Sequence, residues 1–175
     1  MAGIAADQIS LLHYFTPTTG SPQETPKGNR IVYTGRLSRT KGVHYLLRSF
    51  DLVRKAHRSA HLDLLGDGED AAEFQQLATD LGLNSCVTFH GWADRAMIDD
   101  YLNRATVVAF PSIYPEAFGI AGIEAMMRGK PVVGFDVGGV SDWLETGVTE
   151  VLVPSKDVAG YANALGDFLV NPEKA

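Results

Sequence analysis

The chain has 175 residues, 45% of them hydrophobic, 21% charged and 9% aromatic, with a net charge of −6. That composition supplies one good-sized core and too little for two. The acidic balance repels polyanions, which excludes nucleic acid as a partner of the whole face and makes an anionic membrane a poor one.

Residues 1–29 hold Pro17, Pro22 and Pro26 among Thr, Ser and Gly, and read as an N-terminal tail or interdomain linker with one apolar patch at 11–15. From Arg30 the pattern is regular, so the folded domain is placed at 30–175. Ile31-Val32-Tyr33 is a short β-rich run that stops at Gly35. Val43, Leu46, Leu47, Phe50 and Val53 then lie on one face of a helix. His61-Leu62-Asp63-Leu64-Leu65 reads as a strand, stopped by Gly66-Asp67-Gly68. Phe74, Leu77, Ala78 and Leu81 mark a second helix, stopped by Gly82. A third strand covers 87–89, just after Cys86. As the one cysteine, Cys86 permits no internal disulfide; it reads as a buried thiol and fits a reducing, cytoplasmic setting. Met97, Ile98, Tyr101 and Leu102 predict a short helix, and 107–110 a fourth strand. A nearly all-apolar helix is expected over 120–128 and is read as buried. Strands follow at 131–135 and 151–153, then an amphipathic helix over 158–170. No basic-then-apolar leader opens the chain, and no run approaches the ~20 apolar residues that span a bilayer.

Strands alternate with helices, and four strands are nearly continuous apolar runs, as in a sheet covered on both faces. The fold class is α/β: a Rossmann-like, doubly wound parallel sheet of about six strands with helices on both faces. Right-handed crossovers bring the strand C-terminal ends to one edge, and ligands bind there. The loops after strands therefore carry the candidates.

The first such loop, Gly35-Arg36-Leu37-Ser38-Arg39-Thr40-Lys41-Gly42, packs three cations ahead of a helix N-terminus. A cation there is unfavourable unless an anion lies between them, so the loop reads either as an anion site or as a solvated turn. The second loop runs from Pro111 to Gly119 and opens the apolar helix. Glu124 is that helix's one acid, and a carboxylate so placed needs donors. A ribose diol supplies two; a backbone or side-chain donor is the plain alternative. Glu116, just ahead of the helix, lines a polar pocket with the free amides of Phe118, Gly119 and Ile120, or is a surface acid beside two prolines. The acidic Gly66-Asp67-Gly68-Glu69-Asp70 turn is read as structural. His57 and His61 have zinc-like spacing but no third ligand, and the pair reads as coincidence. There is no Gly-x-Ser-x-Gly elbow, no Walker loop and no Gly-x-Gly-x-x-Gly after the first strand, which argues against hydrolase, P-loop and ordinary NAD readings.

The ordered set of these loops resembles the C-terminal domain of glycosyltransferase family 4, retaining enzymes of GT-B architecture. It comprises Tyr33-Thr34-Gly35-Arg36-Leu37 with Lys41-Gly42, Leu65-Gly66-Asp67-Gly68, Phe89-His90-Gly91-Trp92, Pro111-Ser112, Glu116-Ala117-Phe118-Gly119 leading to Glu124-Ala125-Met126, Gly129-Lys130-Pro131-Val132-Val133, Gly138-Gly139 and Leu152-Val153-Pro154. The resemblance implies that Arg36 and Lys41 hold the donor diphosphate and that Glu116 contacts donor-sugar hydroxyls. Phe118, Gly119 and Ile120, with Ala121 as a weaker assignment, present backbone amides to sugar and phosphate. Glu124 grips the ribose, and Gly91 and Trp92 sit where the base-contacting loop lies. Glu150 departs from the family's usual glycine.

The same resemblance implies retaining transfer of a hexosyl group from a UDP- or GDP-type sugar nucleotide, with Arg36, Lys41 and Glu116 at the catalytic centre. It implies no cofactor and no metal. Nothing in the chain matches the family's other Rossmann-like domain, so the N-terminal GT-B half is expected to be absent and this piece inactive alone. Peripheral membrane contact stays open for the full-length protein. Rival readings are a non-catalytic sugar-nucleotide-binding module, an epimerase or a phosphorylase on the same architecture, and a receiver-type signalling domain, which lacks its clustered acids here.

Overall fold

The computed structural model describes residues 28–116, 119–144 and 151–171. Its six strands are β1 (Arg30–Thr34), β2 (His61–Leu65), β3 (Val87–Gly91), β4 (Val107–Phe110), β5 (Val132–Phe135) and β6 (Val151–Val153). All pair in parallel, in the spatial order β3-β2-β1-β4-β5-β6. Among the described residues four α-helices link successive strands from β1 to β5, namely α1 (Val43–Ala56), α2 (Ala71–Asp80), α3 (Arg95–Arg104) and α4 (Ile120–Met126), and α5 (Val158–Val170) follows β6. The doubly wound, Rossmann-like sheet expected from the alternation is the fold found.

Side-chain alternation along the strands feeds two apolar layers. Ile31 and Tyr33 of β1 join Leu46, Leu47 and Phe50 of α1, Phe74 of α2 and Tyr161 and Leu165 of α5. Val32 turns to the other face, with Leu102 of α3, Ala125 of α4 and Leu144. Each of these large side chains, nearly or wholly removed from water, contributes about 2 kcal/mol. Helix starts are set locally. The Asp94 carboxylate accepts from the Met97 amide at 2.8 Å, and Asp157 accepts from Gly160 at 2.9 Å. The Cys86 thiol is buried and donates to the Leu83 carbonyl at 3.3 Å, as a structural cysteine does.

Some element bounds and one burial expectation need correction. The third strand runs on to Gly91, because Gly91 pairs with Leu65 past a register shift in β2. The apolar helix stops at Met126 and is only partly buried: Gly122 and Ala125 are covered, while Ile120 is 42% exposed. Its small residues press on the sheet and on Trp143, so the contacting face is narrow. Composition alone does not reveal how little of a short helix touches its neighbours.

The strand order reverses at β1, which has β2 on one side and β4 on the other. A doubly wound sheet leaves its crevice there, outside the C-terminal ends of β1 and β4.

Candidate functional site

The loops that follow β1 and β4 are bonded together across this crevice. The Ile113 amide donates to the Thr40 carbonyl at 3.0 Å. Gly42 makes the approach possible. It sits at φ +70°, and a Cβ there would lie 1.8 Å from the Pro111 carbonyl oxygen. Gly119, at φ +85°, opens α4 in the same way: a Cβ would lie 2.9 Å from the rings of Phe110 and Trp143.

Between the loops lies a cleft of about 410 Å³. That volume falls within the ordinary range for a small-molecule site. Tyr33, Thr34 and Gly35 form one wall, Phe110, Pro111 and Ser112 another, and Gly119, Ile120 and Ala121 a third, with Lys41 and Glu116 at the polar centre. The Lys41 ammonium donates to Glu116 Oε1 at 2.5 Å. The buried Ser112 hydroxyl donates to the same oxygen at 2.6 Å. The Tyr33 phenol donates to the Arg36 carbonyl at 2.7 Å and fixes the turn that carries Arg36. Burial first, and then the charge of Glu116, pushes the Tyr33 pKa well up, so the phenol stays a neutral donor.

The first and second candidate loops therefore meet, and Lys41, Glu116, Gly119, Ile120 and Ala121 share one cleft. Arg36 leaves the same turn but is exposed, is not among the cleft-lining residues, and has no side-chain partner among the described residues. Phe118 and Glu150 lie outside the described residues. Gly91 accepts from the Gly66 amide at 2.8 Å, and Trp92 is 79% exposed; both stand at the end of β3, two strands from β1.

Glu124 has a side-chain donor of its own. Arg95, at the start of α3, reaches Glu124 Oε1 at 2.6 Å and also Asp99 at 3.1 Å; Asp99 in turn pairs with the buried Arg128 at 2.5 Å. The bond to Glu124, chiefly, pushes the Arg95 pKa up. The donor expected for this carboxylate is thus supplied in part by protein. Arg95 and Ser112 are residues the sequence reading did not assign. In the sequence Ser112 stands out only as part of the Pro111-Ser112 pair, and nothing local links Arg95 to Glu124. Asp63, also unassigned, is a buried carboxylate in β2 that accepts from Arg30 and, at 2.8 Å, from His90 Nε2. It anchors β3 one residue before Gly91. His61 bonds Thr88 at 2.9 Å, while the His57 ring lies against Gly166.

Comparison with known proteins places this geometry in context. The sequence profile described as Glycosyl transferases group 1 matches residues 19–175. The alpha-D-kanosaminyltransferase of Streptomyces kanamyceticus is 30% identical over 82% of this chain and 37% of its own length. The D-inositol 3-phosphate glycosyltransferase of Corynebacterium kroppenstedtii is 34% identical over 77% of this chain and 31% of its own length. Among solved structures, Anabaena HepE in complex with UDP and glucose superposes with a TM-score of 0.77 and 29% identity, covering 85% of this chain and 40% of that one. Staphylococcus aureus TarM, at 22% identity, shares the fold with a TM-score of 0.84 over 91% of this chain and 32% of its own. The chain spans about a third of the length of these curated relatives.

Proposed function

Because the chain belongs to the group 1 glycosyl transferases, we propose that it holds the nucleoside diphosphate sugar of a retaining, family 4 hexosyl transfer. The observation that carries this reading is the contact of Lys41 with Glu116 inside the cleft at the β1–β4 crevice. One cation and one acid stand where a diphosphate and a sugar would adjoin. HepE, a structural neighbour, binds UDP and glucose, which supports a UDP-type donor.

The chemical demand is departure of the diphosphate as negative charge builds on it. Lys41 offers a compact charge on the cleft wall, and Arg36, one turn away, offers a planar fork of donors. Both act most strongly where charge develops, which is what lowers a barrier. Glu116 accepts from sugar hydroxyls and orients the ring; it is not assigned as a nucleophile. Phe118 and the first-turn amides of α4, Gly119, Ile120 and Ala121, complete the sugar and phosphate contacts. Glu124 takes a ribose hydroxyl, sharing its carboxylate with Arg95. Gly91 and Trp92 meet the base. An acceptor-binding Rossmann-like domain of the kind these transferases carry supplies the other side of the cleft, so residues 30–175 alone bind donor without turnover.

A thermal-shift panel of UDP, GDP, ADP and their glucose conjugates tests this, since a ligand bound to the folded state alone raises its Tm. At least one diphosphate is expected to raise Tm, and Lys41→Ala or Arg36→Ala to weaken it about tenfold or more in calorimetry. Affinity unchanged in both variants removes the site from this cleft.

A further inference from the structure

Lys41 and Glu116 have separate tasks in the donor-binding reading, yet they bond to each other at 2.5 Å. The carboxylate is fixed from behind by Ser112, whose hydroxyl donates at 2.6 Å from a residue 2% exposed. The Glu116 side chain is itself only 15% exposed, against 36% for Lys41. A charge-assisted bond in so partly dried a place is worth more than a surface ion pair. It also has a cost for any anion that approaches. A phosphate oxygen that takes the Lys41 N–H now given to Glu116 must first break that bond.

We propose that the Lys41–Glu116 pair is an exchange latch that weakens the site's hold on a bare diphosphate and so speeds release of the leaving group after transfer. The inference rests on the donor-binding reading. An intact sugar nucleotide takes the ammonium with its phosphates and returns hydroxyl donors to Glu116, so a bond is lost and a bond is gained. A diphosphate without its sugar takes the ammonium and returns nothing. Glu116 then keeps Ser112 alone, half-desolvated and beside a phosphate. Re-forming the pair expels the diphosphate.

Calorimetry on the full 175-residue chain tests the latch with inorganic pyrophosphate, uridine diphosphate and guanosine diphosphate at one fixed salt concentration. Glu116→Gln is expected to bind pyrophosphate, and whichever nucleotide binds the wild type, about fivefold tighter, the scale of a lost ion pair. Glu116→Asp keeps the charge but draws it back by one methylene from Lys41, and is expected to tighten binding too, by less. Wild-type affinity in Glu116→Gln overturns the latch. So does tightening in Glu116→Gln with none in Glu116→Asp, because the field of the carboxylate and not its bond to Lys41 then sets the affinity. If none of the three probes binds any of the chains, the donor-binding reading itself fails and the latch falls with it. Glu116 lies on a loop, outside helix and strand, and a matched Tm verifies that each variant is folded.

Discussion

Glu116 and Glu124 belong to one short loop-and-helix segment, and each is held by a cation from a distant part of the chain. The settings differ. Glu116 lies in the cleft, shares one oxygen between Lys41 and a buried serine, and is 15% exposed. Glu124 lies one turn along α4, at 20% exposure, and its partner Arg95 is 49% exposed and divides its fork with Asp99. The first arrangement puts charge where a ligand must displace it. The second ties α3 to α4 from outside the cleft lining, so that a ribose hydroxyl would share the carboxylate with Arg95. Similar acids so close in sequence thus acquire different consequences from what packs behind them.

Three perturbations sharpen or break this comparison. The largest effect is expected from Gly42→Val. A β-branched side chain at φ +70°, with its Cβ driven into the Pro111 carbonyl, separates the two loops on the Glu116 side. The left-handed backbone alone costs about 1–2 kcal/mol, and the clash adds to it. A thermal melt should show a clear loss of stability together with loss of diphosphate binding; a Tm near that of the wild type would mean the loops are not held as described. Next comes Glu124→Gln. It should weaken a nucleoside diphosphate about tenfold and leave inorganic pyrophosphate unchanged, because the ribose is present in one probe and absent from the other. Equal weakening of both would show that Glu124 acts on the phosphate side, and the contrast with Glu116 would vanish.

The smallest effect is a pH dependence away from both acids. Burial, first, and then the charge of Arg39 hold the His44 pKa below the ordinary imidazole value, and its Nδ1 is buried without a partner among the described residues. The folded chain therefore binds this proton less readily than the unfolded chain. The sign follows: stability present above about pH 6.5 is lost as pH falls through that value. Tm should drop between pH 7.5 and pH 5.5, and His44→Gln should flatten part of the slope. His61, also lowered by burial, accounts for a share that remains. An unchanged slope in His44→Gln would show that the cost lies elsewhere.

Much of the fold was legible because the apolar runs are strong. The ends of β2, β4 and α5 stand where the periodicity puts them, and the loops that follow β1 and β4 follow from the topology. The cleft was legible in outline: a basic loop and an acid-bearing loop at one sheet edge. Its partners were not. Arg95 sits in an unremarkable helix start, and only the tertiary fold brings it to Glu124. Arg36 and Lys41 share one loop and one sign of charge, yet Lys41 lines the cleft and Arg36 stands outside its lining, a difference that nothing in the local sequence marks.

By itself the sequence determined the α/β alternation, the two loops that follow β1 and β4 and the placement of charge on them, since each depends on periodicity and backbone freedom over a few residues. The tertiary structure alone decided which cation meets which acid and how deeply each pair lies. Those outcomes depend on distances between segments that the chain brings together only when its two apolar layers close on the sheet.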